Sequence, residues 1–299
     1  MSKQMRSEQM SRMRGGAGFI AALDQSGGST PRALAGYGVG PDAWRTEEEM
    51  FDLVHGMRTR VMTSPAFDSR RILAAILFER TLDSQVEGRS TADYLWGVRG
   101  VVPILKVDKG LEEEADGVRL MKPIDGLDEL LAKAAEAQVF GTKMRSVILR
   151  ADPKGIKALV AQQFEVANRI MEAGLVPIIE PEVSINAPAR PGIELLLLSA
   201  LTSQLDQLMI GREVILKLTL PSVANFYSGL IRHPQVVRVA ALSGGYSREE
   251  ANRRLTRNPG MIASFSRALL EGLRAEQTDE EFNAMLDGSI ESIYRASVA

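Results

Sequence analysis

The chain has 299 residues, no cysteine and two histidines; 45% of its residues are hydrophobic, 25% are charged, and the formal net charge is −2. Without cysteine there is no disulfide framework and no thiolate metal site, and a near-neutral charge offers no electrostatic footprint for nucleic acid or an anionic membrane. No apolar run is long enough to span a bilayer, and the length suits one large α/β barrel or two ordinary domains.

The segment 1–18 is polar and basic with scattered methionines, and it lacks the apolar centre of a signal peptide. The cytoplasm is therefore the expected location, and residues 1–17 are expected to form an extension or short helix outside the main fold. Short apolar runs then recur at 18–24, 72–78, 101–107, 144–149, 176–179, 214–220, 236–242 and 261–265. They are nearly continuous in Val, Ile, Leu and Ala, which marks strands buried on both faces. The segments between them read as helices. Leu130, Leu131, Ala134 and Ala135 form one stripe within 127–138. Residues 157–173 are rich in Ala, Gln, Glu and Met, and 193–209 is leucine-rich. Ser247-Arg248-Glu249-Glu250 fits a capping box opening a helix, and 278–294 is an amphipathic tail. This alternation predicts an α/β protein, a single (β/α)8 TIM barrel over 18–299 with a helical tail. Two doubly wound sheets are the alternative, but no Gly-x-Gly-x-x-Gly follows any strand.

Within 214–220 stands Lys217, an amine in an otherwise apolar run. A buried charge is costly unless it is paired, neutralised or used. A lysine in such a place either attacks a carbonyl to form an imine or snorkels to water from an edge strand. The ends of the other strands bear on that choice, because barrel active sites lie at the carboxyl ends. Strand one ends in Asp24, strand three carries Lys106 and then Asp108, and strand four opens with Lys143 and Arg145. Strand five ends in Glu180 and Glu182, strand seven runs into Ser243-Gly244-Gly245, and strand eight into Ser266-Arg267. Period-2 geometry puts Lys143 with Arg145, and Glu180 with Glu182, on one face each. If these faces point inward, cations and carboxylates converge on one water-poor pocket. A second amine such as Lys143 would disfavour protonation of Lys217, and a nearby glutamate could move the protons of imine formation. The loops Ser26-Gly27-Gly28-Ser29 and Ser243-Gly244-Gly245, beside Lys106 and Arg267, suit two phosphates. His55 and His233 are too few and too far apart in sequence to suggest zinc.

The blocks Ala22-Leu23-Asp24-Gln25-Ser26-Gly27-Gly28-Ser29, Leu105-Lys106-Val107-Asp108-Lys109-Gly110, Glu180-Pro181-Glu182, Leu216-Lys217, Leu242-Ser243-Gly244-Gly245 and Ser266-Arg267 resemble, in order, class I fructose-bisphosphate aldolase of the shorter bacterial type. The resemblance implies reversible cleavage of fructose 1,6-bisphosphate through a lysine Schiff base, with no metal or other cofactor. It implies Lys217 as the imine lysine, Glu180 as the proton-transferring glutamate and Glu182 as the carboxylate next to that lysine. Lys143 would assist the carbinolamine steps, and Asp24 would handle the hydroxyl whose deprotonation drives carbon–carbon cleavage. Ser243, Gly244, Ser266 and Arg267 would hold the phosphate on the ketone side; Ser26, Ser29, Lys106 and Arg145 would hold the other end. A phosphorylated sugar is the implied partner, in a homo-oligomer. Epimeric substrates such as tagatose bisphosphate, or sedoheptulose bisphosphate, are not separated by these residues, and a phosphosugar-binding protein on a retired barrel is the non-enzymatic alternative. Larger members of the family end in a tyrosine that shuttles a proton; this chain ends in Ala299, with Tyr294 five residues earlier.

Overall fold

The computed structural model describes residues 2–26 and 30–299. Eight parallel strands form a ring: β1 (Phe19–Leu23), β2 (Ile72–Leu77), β3 (Val102–Lys106), β4 (Gly141–Ile148), β5 (Val176–Val183), β6 (Val214–Thr219), β7 (Val236–Leu242) and β8 (Met261–Phe265). Each pairs in parallel with its sequence neighbours, β8 pairs with β1, and β3 pairs with β4, so the sheet closes. The helices of eight residues or more are α1 (Lys3–Gly15), α2 (Glu47–Thr63), α3 (Leu127–Glu136), α4 (Pro153–Glu172), α5 (Arg190–Leu205), α6 (Arg248–Leu255) and α7 (Asp279–Ser297). Two crossovers are shorter than the alternation suggested: Glu79–Asp83 with a π-helical turn leads from β2 to β3, and Ser228–Ile231 leads from β6 to β7. No described helix is long and apolar enough to cross a membrane.

The period of two along each strand divides the core into two clusters. Ala21, Leu23, Leu105, Met144, Ile179, Leu216, Leu218 and Phe265 face the helices. Ile20, Ala22, Ala74, Ile76, Val102, Ile104, Val176, Ile178, Ile215, Ala240 and Ile262 fill the barrel interior. The inward parity continues past this apolar filling into Asp24, Lys106, Glu180 and Lys217. The lower layers are therefore a packed plug and the upper layers a polar floor, as the fold requires of a barrel that works at its carboxyl end.

Helix α1 lies across the opposite, amino-terminal end. Met13 is fully buried against the interior cluster, while Arg12 donates to Ser69 O and Ile72 O and Arg6 donates to Phe140 O. Arg238, near the start of β7, donates to Met13 O and Gly16 O at 2.9 Å each. A guanidinium at that place satisfies carbonyls that a helix end leaves unpaired. At α6 the Ser247 side chain accepts from Glu250 N, but the second half of the expected capping box is missing because the Glu250 carboxylate is taken by Arg253 and Arg254. Both halves of a capping box are present at the start of α2, on Thr46 and Glu49, and of α7, on Thr278 and Glu281.

Candidate active site

Lys217 is 4% exposed and does not snorkel. Its neighbours Leu216 and Leu218 point to the helices, so β6 must turn the amine inward, above Ile215. Its Nζ lies 3.2 Å from Glu180 Oε1. The other oxygen of that carboxylate, Oε2, lies 3.2 Å from Lys143 Nζ. Lys143 also pairs with Asp24 at 2.6 Å and approaches Asp108 at 3.8 Å. Asp108 holds Lys106 in turn, its Oδ1 at 2.8 Å and its carbonyl at 2.6 Å from Lys106 Nζ. Strands β1, β3, β4, β5 and β6 thus contribute to one buried network.

Burial pushes the Asp24 carboxyl up. The charges of Lys143 and Lys217, a hydrogen bond from Lys143 and the charge of Lys106 outweigh burial and hold it well below the ordinary 3.8. Burial pulls the Lys143 ammonium down, and Asp24, Glu180 and Asp108 more than reverse this, so it stays well above 10.5. Lys143 is a fixed positive charge among three carboxylates. An acid, a base and a buried amine in contact can carry out imine chemistry with proton transfer.

The remaining predicted residues lie around this network. Glu182 pairs with Arg145 at 2.6 Å, and it is Glu180 rather than Glu182 that contacts Lys217. Arg145 is partly exposed, as is the loop position Gly244. Ser243 is buried, and Gly244 and Gly245 have φ of +63° and +116°, a left-handed path that turns the backbone sharply after β7. Arg267 is exposed and, among the described residues, makes no hydrogen bond or ion pair; a Cβ at Gly245 would lie 3.5 Å from its Nη2. Ser266 Oγ accepts from Gln25 Nε2, which ties the end of β8 to the loop after β1. Gln25 and Arg267 also border a cavity of about 530 Å³ beside the barrel mouth, with Arg32, Tyr37 and Arg274 on its walls. Ser26 is partly buried; Ser29, with Gly27 and Gly28, lies outside the described residues. Tyr294 packs partly buried on the outer core of the barrel. Earlier in the same helix, Asp287 and Glu291 pair with Arg71, at the foot of β2, so Tyr294 sits at the end of the barrel away from Lys217.

Asp108, read at the end of strand three, follows Lys106 by two positions and so shares its face. One group near the network escaped the reading of strand ends. Arg58 is 1% exposed on α2 and donates to Gln25 O and to Thr81 Oγ1. Burial pulls its guanidinium down to about 10, with Asp24 restoring part of the loss. The available signal for Arg58 was a charge on the helical stripe of Val54, Met57, Val61 and Met62.

A closed barrel with a buried lysine–carboxylate network at its carboxyl end places the chain among barrels equipped for carbonyl chemistry. Residues 12–188 match the family described as Fructose-bisphosphate aldolase class-I. The chain is 59% identical to Fructose-bisphosphate aldolase class 1 of Synechocystis sp. over 298 residues, spanning 100% of this chain and 99% of that relative. It is 56% identical to the protein of the same name from Porphyromonas gingivalis over 294 residues, 98% of this chain and 100% of the relative. The chain belongs to the class I fructose-bisphosphate aldolase family. In fold it is similar to fructose-bisphosphate aldolase from Plasmodium falciparum, solved with TRAP and a small-molecule inhibitor; the TM-score is 0.77 at 22% identity, over 99% of this chain and 96% of that one.

Proposed function

We propose that this chain is a Schiff-base aldolase that reversibly cleaves fructose 1,6-bisphosphate into dihydroxyacetone phosphate and glyceraldehyde 3-phosphate. The observation that carries this reading, beside family membership, is one carboxylate, Glu180, in contact with both buried lysines. In the reaction Lys217 Nζ attacks the C2 carbonyl. Glu180 moves the protons that expel the C2 oxygen as water, and the Lys143 ammonium stabilises the negative charge developing on that oxygen. Asp24 takes the proton of the C4 hydroxyl. The C3–C4 bonding pair then flows into the iminium, leaving an enamine on Lys217 and releasing the aldehyde. Protonation at C3 and hydrolysis return the lysine. Ser243, Gly244, Ser266 and Arg267 hold the ketone-side phosphate, and Ser26, Ser29, Lys106 and Arg145 hold the other end. The iminium is the electron sink, so activity is expected to persist in excess chelator.

Borohydride added with dihydroxyacetone phosphate should leave one covalent label, on the peptide carrying Lys217, and Lys217→Ala should abolish both label and turnover. Full activity in Lys217→Ala removes the proposal. The chain is further proposed to be a cytoplasmic homo-oligomer. The outward Leu195 and Ile210, 60% and 99% exposed, support an interface on that flank, and light scattering measures the assembly.

A further inference from the structure

A second buried ion pair lies apart from the lysine network. Arg190, in the first turn of α5, is 9% exposed, and Glu194, one turn on, is 1% exposed. Their side chains meet at 2.8 Å. Burying both charges is costly, and hydrophobic residues of similar volume would often stabilise a helix as well or better. The other hydrogen bonds of the pair show what it adds, because they end on the loops at the carboxyl ends of two strands, β6 and β7. Arg190 Nη2 donates to Leu220 O at 2.7 Å, just beyond β6. The Glu194 carboxylate accepts from Ser222 N at 3.1 Å and from Ser222 Oγ, in the same loop. Arg190 Nη1 donates to Tyr246 OH at 2.9 Å, directly after Ser243-Gly244-Gly245. The Tyr246 ring is held from another side by Arg254, whose Cζ lies 4.3 Å from the ring centroid. The glycine loop also packs against the loop after β5: a Cβ on Gly244 would meet Ile185 Cγ2 at 2.5 Å.

We propose that the Arg190–Glu194 pair positions the loop Ser243-Gly244-Gly245 relative to Lys217 by tying the loops after β6 and β7 to the start of α5. The proposal rests on reading that loop as the ketone-side phosphate site. Arg190, Glu194 and Tyr246 are positioning residues. Cutting the link weakens the grip on the phosphate and leaves the chemistry of the amine intact.

The test compares two ketones, dihydroxyacetone phosphate and unphosphorylated dihydroxyacetone, in borohydride trapping. Tyr246→Phe keeps the ring and removes only the hydroxyl that Arg190 reaches. It should raise the half-saturating concentration of dihydroxyacetone phosphate about three- to tenfold, the effect of losing one hydrogen bond of ordinary net strength. The rate of labelling by dihydroxyacetone should not change. Arg190→Met should act in the same direction and more strongly; should it fail to fold, Tyr246→Phe decides alone. Equal losses with both ketones mark a merely structural role and overturn the proposal, as does no change with either. A wild-type chain that neither ketone labels removes the Schiff-base reading itself, and this inference with it.

Discussion

Replacing Lys143 by methionine removes the one cation that, among the described residues, three buried carboxylates share. Its ammonium lies 2.6 Å from Asp24, 3.2 Å from Glu180 and 3.8 Å from Asp108. At an effective dielectric of about 20, each of the two closer pairs is worth roughly 5–6 kcal/mol of gross attraction. Most of that is offset by desolvation of the ions, which are nearly all hidden from water. Deleting one partner of such a set leaves uncompensated buried charge, a loss of about 3–5 kcal/mol. The loss should depend on pH with a definite sign. In the wild type the Asp24 carboxyl is held below 3.8, so its contribution is fully present above that pH and drains away as the pH falls through the depressed value. In Lys143→Met burial still pushes the Asp24 carboxyl up while the largest downward pull on it is gone, and proton uptake there offsets the loss by up to about 1.4 kcal/mol per pH unit. The gap between wild type and variant should therefore be widest near pH 8 and narrow toward pH 5. Urea unfolding followed by tryptophan fluorescence at both values measures it. A gap under about 1 kcal/mol at pH 8, or one that does not change with pH, refutes the claim that Lys143 neutralises this set.

Gly244→Ala puts a Cβ on a residue with φ of +63°, 2.5 Å from Ile185 Cγ2; a loss of about 1–3 kcal/mol in unfolding and a raised KM for the bisphosphate are expected. Met13→Ala, at a side chain fully buried between α1 and the barrel, should cost about 2–5 kcal/mol in the same assay and leave kcat unchanged. Tyr294→Phe should leave both cleavage and proton exchange at C3 of dihydroxyacetone phosphate at wild-type rates, followed by solvent tritium release; a marked drop in exchange would show that the tail reaches the site.

The fold was legible where apolar runs face a packed core on both sides, and it blurred where the interior turns polar. Read from the sequence, the fourth and fifth apolar runs covered only 144–149 and 176–179, with Lys143 placed before the one and Glu180 and Glu182 after the other; the strands are observed as Gly141–Ile148 and Val176–Val183. The polar ends that the apolar runs left out carry Lys143, Glu180 and Glu182. An inward-facing charge at the barrel mouth breaks an apolar run just as an outward-facing charge at a surface does. Asp24, Lys106, Lys143, Glu180 and Lys217 could be read because strand order and parity alone bring them together. Arg58 and the Arg190–Glu194 pair could not, because they sit on helices and reach the loops through backbone carbonyls and a tyrosine hydroxyl. Helical spacing marks such residues as odd without saying which loop they hold.

In the proposed reaction the two lysines have different tasks because Glu180 meets them with different oxygens. Lys143 is engaged by Asp24, Asp108 and Glu180 Oε2, and its pKa is raised, so it neither gives up its proton readily nor can act as the nucleophile. Among the described residues, Lys217 contacts only Glu180 Oε1 of the charged groups within 4 Å. In the proposed reaction a proton leaving Lys217 therefore has one near acceptor, and Lys143 steers it by occupying the other oxygen. When the iminium forms, a positive charge returns to the same nitrogen and the pairing with Oε1 is restored. In the proposed reaction the ketone-side phosphate lies at the rim, where the backbone of Ser243-Gly244-Gly245 and the exposed Arg267, which makes no ion pair among the described residues, supply charge for it. Separating the phosphate from the reacting carbon in this way lets the interior stay dry while the substrate is still held by its charge.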